Sequence, residues 1–444
     1  MVKEMSHIFP RHAKSNLPIA IKGEGSYIFD ENGKPYLDAS GGAAVSCLGH
    51  AHQTVVQALH RQLDELTYAH TSFFTSEQAE KLAERLCLKA PEGIDRVYLV
   101  SGGSEAVEAS LKLARQYYFE KGEIDRKAII ARQQSYHGNT LGALAAGGNQ
   151  WRRRQFSPLL IDTHHIAPCF AYRGKNETED DFEYGQRVAN QLEEKLLELD
   201  PKSVMAFIAE PVVGATAGAV TAVDGYFRRI REICDEYGVL LILDEVMCGM
   251  GRTGYLYACE HDNIKPDILC IAKGLGAGYQ PIGAMLCTSE IYSTIENGSG
   301  FFQHGHTYLG HPMAAAASNA VLDVLLDQNL LTEVTPKGKI LEDLLKSKFD
   351  QHPHVGDIRG RGLFRAIELV EDRDTKVAFD SELKLAASIK KLAQENGLLC
   401  YPMSGTIDGK LGDHVLLAPP FTISEHELDE LVDKLSVTID QVIQ

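Results

Sequence analysis

The chain of 444 residues is predicted to adopt an α/β fold, with a mostly parallel central sheet covered by helices on both faces. Two observations predict this fold. Between about residue 61 and residue 310, uncharged runs such as VMAFIA and VLLILD alternate with stretches of helical periodicity. The runs are apolar at consecutive positions, which is typical of strands that are buried on both faces.

The elements follow in order along the chain. In the N-terminal segment, 1–60, GSYIFDENGKPYLDAS alternates apolar and polar residues around Asn32-Gly33, which predicts a hairpin. The large domain, 61–310, has strands in RVYLVS, KAIIAR, VMAFIAEP, VLLILDEV and DILCIAK, and helices in GSEAVEASLKLARQYYFEKG and DGYFRRIREICDEYG. The C-terminal segment, 311–444, has a helix in AAAASNAVLDVLLDQ, a strand in GLFRAIELV and a last helix that begins at a capping box, Ser424-x-x-Glu427. We expect the two terminal segments to form a smaller α+β domain.

Composition limits the classes of partner. The net charge of −17 argues against nucleic acid or an anionic membrane as the main partner. No stretch approaches the roughly 18 uncharged apolar residues of a membrane span, and the N-terminal sequence lacks the apolar core of a signal peptide. Nine dispersed cysteines without a C-x-x-C pair indicate reduced thiols. We therefore expect a cytoplasmic protein.

Polar residues follow four of the predicted strands, where ligands bind in open parallel sheets. They are Gly102, Gly103 and Ser104 after the first strand, then Glu210, Asp244 and Lys273 after three others. Free amides at the start of a helix suit a phosphate. A lysine shielded from water becomes a nucleophile toward carbonyl groups, and an aspartate opposite a pyridine nitrogen keeps that nitrogen protonated. Together they predict a site for a carbonyl-bearing cofactor.

The segment LLILDEVMCGMGRTGYLYACEHDNIKPDILCIAKGLGAGYQPIGAMLC resembles the signature of the class III pyridoxal-phosphate-dependent aminotransferases, which have fold type I. Lys273 follows Asp244 by 29 residues (273 − 244), as in that family. Further counterparts occur in the same order in SGGSEAVEASLKLAR, SYHGNTLGAL, HGHTYLGHPMAAAA, RGRGLF and GDHVLLAPPF. The resemblance covers nearly the whole chain and implies that Lys273 carries pyridoxal 5'-phosphate.

The resemblance also implies roles for other residues. It assigns Gly103 and Ser104 to the phosphate, Tyr136 to stacking on the pyridine ring with His137 beside it, Glu210 to the vicinity of the cofactor, Asp244 to the pyridine nitrogen, and Val246 to the opposite ring face. Thr307, in HTY, is implied to reach the phosphate of a neighbouring subunit. We therefore expect a homodimer or a dimer of dimers with shared active sites.

Two departures from the family pattern concern the substrate. Met247 stands where DEVQ members have glutamine, which places the chain nearer the ω-amino acid:pyruvate transaminase branch. That branch commonly has an arginine before GDH for the substrate carboxylate, and here the cation is Lys410. Cys47 and Phe74 are further substrate-pocket candidates. The basic cluster WRRRQF, 151–156, is interpreted as solvated surface or a helix end, with its arginines as alternative carboxylate ligands.

The function predicted from the sequence is transfer of an amino group from a primary amine or ω-amino acid to a keto acid, with pyruvate as the first choice, in a ping-pong cycle. An aminomutase, racemase or decarboxylase on the same scaffold remains an alternative, as do 2-oxoglutarate as acceptor and a regulatory binding module. No metal is expected, because His304, His306 and His311 lack carboxylate or cysteine partners at ligand spacing.

Overall fold

A computed structural model describes residues 7–14 and 16–443. Its strands are β1 (Ala20–Glu24), β2 (Tyr27–Asp30), β3 (Pro35–Asp38), β4 (Ile94–Val100), β5 (Ala128–Arg132), β6 (His164–Ile166), β7 (Val204–Ala209), β8 (Val212–Val213), β9 (Val220–Thr221), β10 (Leu240–Asp244), β11 (Ile268–Ile271), β12 (Gly283–Thr288), β13 (Val355–Arg361), β14 (Phe364–Leu369), β15 (Leu398–Leu399), β16 (Tyr401–Ser404) and β17 (Asp413–Leu417).

The helices of the same part of the chain are α1 (Gly41–Ala44), α2 (Gln53–Glu65), α3 (Glu77–Lys89), α4 (Gly103–Glu120), α5 (Leu141–Ala146), α6 (Gln150–Arg153), α7 (Ala171–Gly174), α8 (Asp181–Leu199), α9 (Tyr226–Tyr237), α10 (Ser289–Asn297), α11 (Pro312–Leu322), α12 (Leu331–Phe349), α13 (Leu385–Glu395) and α14 (Glu425–Val442). A π-helical turn, Asp323–Asp327, extends α11.

The large sheet has seven strands in the order β4-β12-β11-β10-β7-β5-β6. β12 runs opposite to the other six strands of this sheet, and the remaining neighbours pair in parallel. The predicted mostly parallel sheet is therefore confirmed. The side chains of β10 alternate between two cores: Ile242 packs with residues of α4, whereas Leu241 and Leu243 pack with residues of α8 and α9. Apolar residues at consecutive positions thus cover both sheet faces, which explains the uncharged strand sequences.

Three smaller sheets accompany it: β13-β14-β17-β16, the pair β8-β9, and β1-β2-β3-β15, in which Leu398 pairs in parallel with Leu37. The N-terminal and C-terminal segments are therefore in direct contact. The predicted hairpin is confirmed, because β2 and β3 pair in antiparallel fashion on either side of Gly33, which has a φ of 78°. The capping box at Ser424 is also confirmed. Residues 1–6 and 15 of the predicted segment 1–60 lie outside the described residues, and the domain boundaries at 60 and 310 stay a prediction.

The parallel strands β7, β10 and β11 end at one edge of the large sheet, and α4 starts just beyond the carboxyl end of β4. The close approach of β12 to this edge requires glycine, since a Cβ on Gly283 would lie 2.6 Å from the carbonyl oxygen of Gly102. Within 7–14 and 16–443, no helix combines the length and apolar character that crossing a membrane requires.

Candidate active site

A cavity of about 450 Å³ opens at the carboxyl edge of the large sheet. It is lined by most of the residues that the sequence analysis assigned to the cofactor. These are Gly103, Ser104, Tyr136, His137, Glu210, Asp244, Val246 and Lys273. The fold thus brings together side chains from the ends of β7, β10 and β11, the start of α4 and the loop after β5.

Lys273 stands just after β11, in a left-handed backbone conformation with a φ of 45°. Its side chain is largely enclosed by protein, and its Nζ makes no hydrogen bond or ion pair with another described residue. Burial lowers the pKa of this amine to about 8, although the negative charges of Asp244 and Glu210 partly oppose the shift. About a tenth of Lys273 is therefore uncharged and nucleophilic near pH 7, far more than of a lysine in water.

Asp244 is held in one orientation by two hydrogen bonds. The ring of His137 lies against it, with Nδ1 2.8 Å from Oδ2, and the backbone N–H of Val246 donates to Oδ1 at 3.0 Å. Asp244 is only 3% exposed, so its charge acts in a medium with little water to screen it. The Nε2 of His137 is buried and has no hydrogen-bond partner among the described residues. A fixed carboxylate thus faces the same cavity as the lysine.

Glu210 connects β7 to the loop that carries Tyr136. Its carboxylate accepts hydrogen bonds from the backbone N–H groups of Tyr136, at 3.1 Å, and Gly214, at 2.9 Å. Arg132 donates to the backbone carbonyl of Glu210. Burial raises the pKa of the carboxyl, with His137 opposing the shift and Asp244 adding to it. Glu210 therefore fixes the position of Tyr136 at the cavity wall.

The first turn of α4 forms the other wall. Gly102 precedes the helix and provides no side-chain cap, so the first backbone N–H groups lack a partner from a capping side chain. Ser104 Oγ accepts from the backbone N–H of Asn139 at 3.1 Å and donates to its side-chain oxygen at 3.0 Å. A Cβ on Gly103 would lie 2.5 Å from Cγ1 of Val246, so only glycine fits. Open amides beside a hydroxyl suit an anion.

The remaining predicted residues lie outside the lining of this cavity. Thr307 is exposed, and its backbone carbonyl accepts from the Tyr68 hydroxyl at 2.7 Å. Phe74 is 69% exposed. Cys47 is buried behind the cavity wall, where its thiol donates to the carbonyl of Gly274 at 3.6 Å. Lys410 is exposed on the loop 405–412.

The cluster 151–156 was interpreted as solvated surface or a helix end, and its arginines have different environments. Arg153 is half-buried and donates to the carbonyls of Ala145 and Gly147. Arg152 is half-buried, with its guanidinium 4.5 Å from the ring centroid of Tyr136. Arg154 is exposed, as the interpretation as solvated surface requires, whereas Arg152 and Arg153 lie in the last turn of α6, as the alternative of a helix end requires. Because three arginines stand side by side, the sequence alone does not indicate which of them is exposed. Further cavity residues, Ser101, Gln280 and Ile282, were missed because they have no chemical signature of their own.

Comparison with known proteins identifies the family and the fold of the chain. The family model described as aminotransferase class-III matches residues 8–439. An uncharacterized aminotransferase of Schizosaccharomyces pombe is 43% identical over 442 residues, covering 99% of this chain and 96% of the relative. A putrescine–pyruvate aminotransferase of Pseudomonas aeruginosa is 34% identical over 424 residues, covering 95% and 90%. The crystal structure of an (S)-enantioselective omega-transaminase from Thermomicrobium roseum superimposes with a TM-score of 0.93 at 33% identity, covering 99% and 97%.

Proposed function

The chain belongs to the class III aminotransferases, enzymes of fold type I that depend on pyridoxal phosphate, and from this premise we propose that it transfers the amino group of a primary amine or ω-amino acid to pyruvate. The predicted fold and enzyme class are thereby confirmed. The donor, the acceptor and the roles of individual residues remain part of the proposal.

One observation supports the proposal above the others. The amine of Lys273 has a lowered pKa, makes no hydrogen bond to a described residue, and lies at the strand edge where Asp244 and Glu210 also end. A lysine with only a structural role would place its amine in water or on a carboxylate. An amine kept without a partner in a polar cavity is available for a covalent bond to a carbonyl group.

The residues present fit pyridoxal phosphate. The glycine cradle at Gly103 leaves room that a Cβ would fill, and the uncapped amides of α4 suit the phosphate. Lys273 would hold the carbonyl carbon, and Asp244 the pyridine nitrogen. Tyr136 and Val246 would bound the ring. When bound, the cofactor supplies an electron sink for the reacting carbon.

The amine of Lys273 has a second role in this proposal. With its Nζ free of the cofactor, Lys273 would take the proton from the amine-bearing carbon of the substrate and would later return a proton. Its lowered pKa of about 8 suits both directions near neutral pH, because proton transfer is most effective when the pKa lies near the working pH. Asp244 and His137 remain fixed by their hydrogen bond during this exchange.

The choice of substrates is supported by Met247 and by relatives. Met247 lines the cavity and adds an apolar surface where a glutamine would add a polar one. Relatives include a putrescine–pyruvate aminotransferase and an omega-transaminase. The test is a panel of amine donors, each offered with pyruvate or with 2-oxoglutarate. We expect turnover of terminal amines with pyruvate. Turnover only with 2-oxoglutarate would overturn the acceptor, and conversion of one substrate without any keto acid would indicate an aminomutase.

We also propose that two subunits share each active site. Thr307 and Phe74 are exposed on one chain, and this exposure is expected of residues that complete a partner's site. In a mixture of Thr307→Ala and Lys273→Ala subunits, a mixed dimer would contain one site with both lesions and one site with neither. Activity should therefore return when the subunits exchange. No recovery despite demonstrated exchange would contradict the sharing.

We also propose that the protein is cytoplasmic. Eight of the nine cysteines are buried and the ninth is half-buried, all as free thiols. Burial raises the pKa of several of them, for example that of Cys47 to about 11, which keeps them protonated and unreactive. Such thiols are compatible with a reducing compartment.

A further inference from the structure

We propose that Arg152, and not Lys410, binds the carboxylate of the acceptor keto acid. The proposal rests on the aminotransferase function proposed above and names the group that recognises its acceptor. A negative charge that enters a site shielded from water needs a cation, because an unpaired buried charge is costly. The question is which cation of the chain is both close and available.

Arg152 lies next to the cofactor cavity. Its guanidinium is 4.5 Å from the ring centroid of Tyr136 and 5.7 Å from that of Trp151. Tyr136 lines the cavity of Lys273, and it also lines an adjoining cavity of about 370 Å³ to which Arg152 contributes. A single aromatic side chain therefore separates the guanidinium from the cavity in which the substrate would react.

Of the three arginines in this cluster, Arg152 is the one that lies next to the cofactor cavity and has a guanidinium available for hydrogen bonds. Arg153 is held by the carbonyls of Ala145 and Gly147 and by Thr163. Arg154 is exposed. The guanidinium of Arg152 makes no hydrogen bond or ion pair with another described residue. Its five N–H donors can therefore form the paired hydrogen bonds that a carboxylate accepts.

The charge of Arg152 reaches the reacting groups. Burial is the main cause that lowers the pKa of Lys273, and Arg152 lowers it further. Burial raises the pKa of Tyr136, whereas Arg152, followed by Arg11, opposes that shift. The positive charge of Arg152 would thus attract a carboxylate that entered the space between Tyr136 and Lys273. The two aromatic rings hold the guanidinium in place through cation–π contacts.

Lys410 is more exposed than Arg152 and does not line the cofactor cavity. It is exposed on the loop 405–412, and its backbone N–H donates to Asp408 at 2.8 Å. Gly409 of the same loop packs on the backbone of Trp151, where an added Cβ would be 3.2 Å from the amide nitrogen. The loop therefore contacts the backbone of Trp151, whereas the side chain of Lys410 is exposed. An ammonium in this place would also lack the paired donors of a guanidinium.

The chain offers a local reporter, because Trp151 is its single tryptophan. We would titrate the cofactor-loaded enzyme with propionate, a carboxylate that cannot be aminated, and follow Trp151 fluorescence, using chloride at equal ionic strength as the blank. We expect a saturable change in the wild type, about a tenfold weaker affinity in Arg152→Lys and no saturation in Arg152→Ala. Arg154→Ala, Arg11→Ala and Lys410→Ala serve as controls that keep the wild-type affinity.

Steady-state kinetics complete the test. Arg152→Ala should raise the KM for pyruvate by about tenfold or more, while the kcat/KM for a donor without a carboxylate stays within about twofold. Equal losses for both substrates, or a loss in Lys410→Ala or Arg11→Ala instead, would overturn the assignment. A melting temperature for each variant separates misfolding from lost binding, and Arg152→Lys keeps the test decisive if the alanine variant unfolds. If the wild type transfers no amino group, the proposed function fails while the propionate titration still decides whether Arg152 binds a carboxylate.

Discussion

Two clusters of charged side chains inside this molecule differ in how their charges are paired. The Lys273 cluster consists of Lys273, Asp244, Glu210 and His137, and the Glu368 cluster consists of Glu368, Arg173 and Arg359. In the Glu368 cluster, each carboxylate oxygen lies 2.6 Å from a guanidinium nitrogen. Arg359 also donates to the carbonyls of Gly218 and Ala217. In the Lys273 cluster, by contrast, Lys273 forms no ion pair with a described residue, and the Nε2 of His137 has no hydrogen-bond partner among those residues.

The contrast separates structural charges from reactive ones. A carboxylate that forms ion pairs with two guanidinium groups holds elements together, here β13 and β14 against the segment between β8 and β9. The amine of Lys273, which makes no hydrogen bond or ion pair with a described residue, has a lowered pKa and is available for chemistry. Substitutions should therefore remove activity in one cluster and stability in the other.

Lys273→Ala should produce the largest effect and abolish turnover, because it removes both the cofactor's covalent anchor and the proton carrier. The variant should also lack the near-ultraviolet and visible absorbance of lysine-bound cofactor. Lys337→Ala is the matched control, because Lys337 donates to the carbonyl of Phe421, in the part of the chain outside the cavity lining. Activity in Lys273→Ala comparable to that of the control would contradict the role of the lysine.

Asp244→Asn should keep the fold and lower kcat by roughly a thousandfold, equivalent to about 4 kcal/mol of barrier, since an uncharged partner no longer keeps the pyridine nitrogen protonated. Asp267→Asn is the matched control at the opposite edge of the sheet, where Asp267 accepts from the backbone of Leu241 and from Arg231. The control should lose stability and retain kcat. A near-normal kcat in Asp244→Asn with cofactor bound would remove the proposed role.

Glu368→Gln should lower the free energy of unfolding by about 3 kcal/mol, because Arg173 and Arg359 would remain buried without a full negative charge. The measurement is denaturant unfolding of the loaded enzyme, together with kcat/KM at a temperature at which the variant is folded. We expect kcat/KM to change by less than about twofold. A large loss of kcat/KM with unchanged stability would show that the Glu368 cluster takes part in catalysis. It would contradict the distinction between a structural and a reactive cluster.

Glu245 tests the contrast between neighbours in the sequence, because it follows Asp244 directly. Its carboxylate accepts from the backbone N–H groups of Ala258 and Cys259, and burial raises its pKa to about 7. The folded state therefore binds a proton that the unfolded state releases near pH 4.5, so this contribution to stability is lost as the pH rises from about 4.5 to 7. Glu245→Gln should flatten that part of the stability profile. An identical slope in variant and wild type would exclude Glu245 as its cause.

The sequence predicted the site better at strand ends than in loops. Asp244 and Lys273 follow uncharged strands, and parallel strands bring their carboxyl ends to one edge. The antiparallel direction of β12 was not predicted, because its residues, GAMLCT, look like those of any buried strand. Arg152 could not be separated from Arg153 and Arg154, since only the fold decides which of three neighbours reaches Tyr136. The roles proposed for Thr307 and Phe74 require a second subunit, whose position no local pattern specifies.

The most direct test of the central claim is to locate the covalent bond between chain and cofactor. Reduction of the wild-type enzyme with borohydride should fix the cofactor on the protein, and mass spectrometry of its peptides should find the added mass on Lys273 in nearly every chain. The Asp244→Asn enzyme should give the same attachment with much lower turnover. Added mass on another lysine, or no added mass in an enzyme that transfers amino groups, would contradict the account.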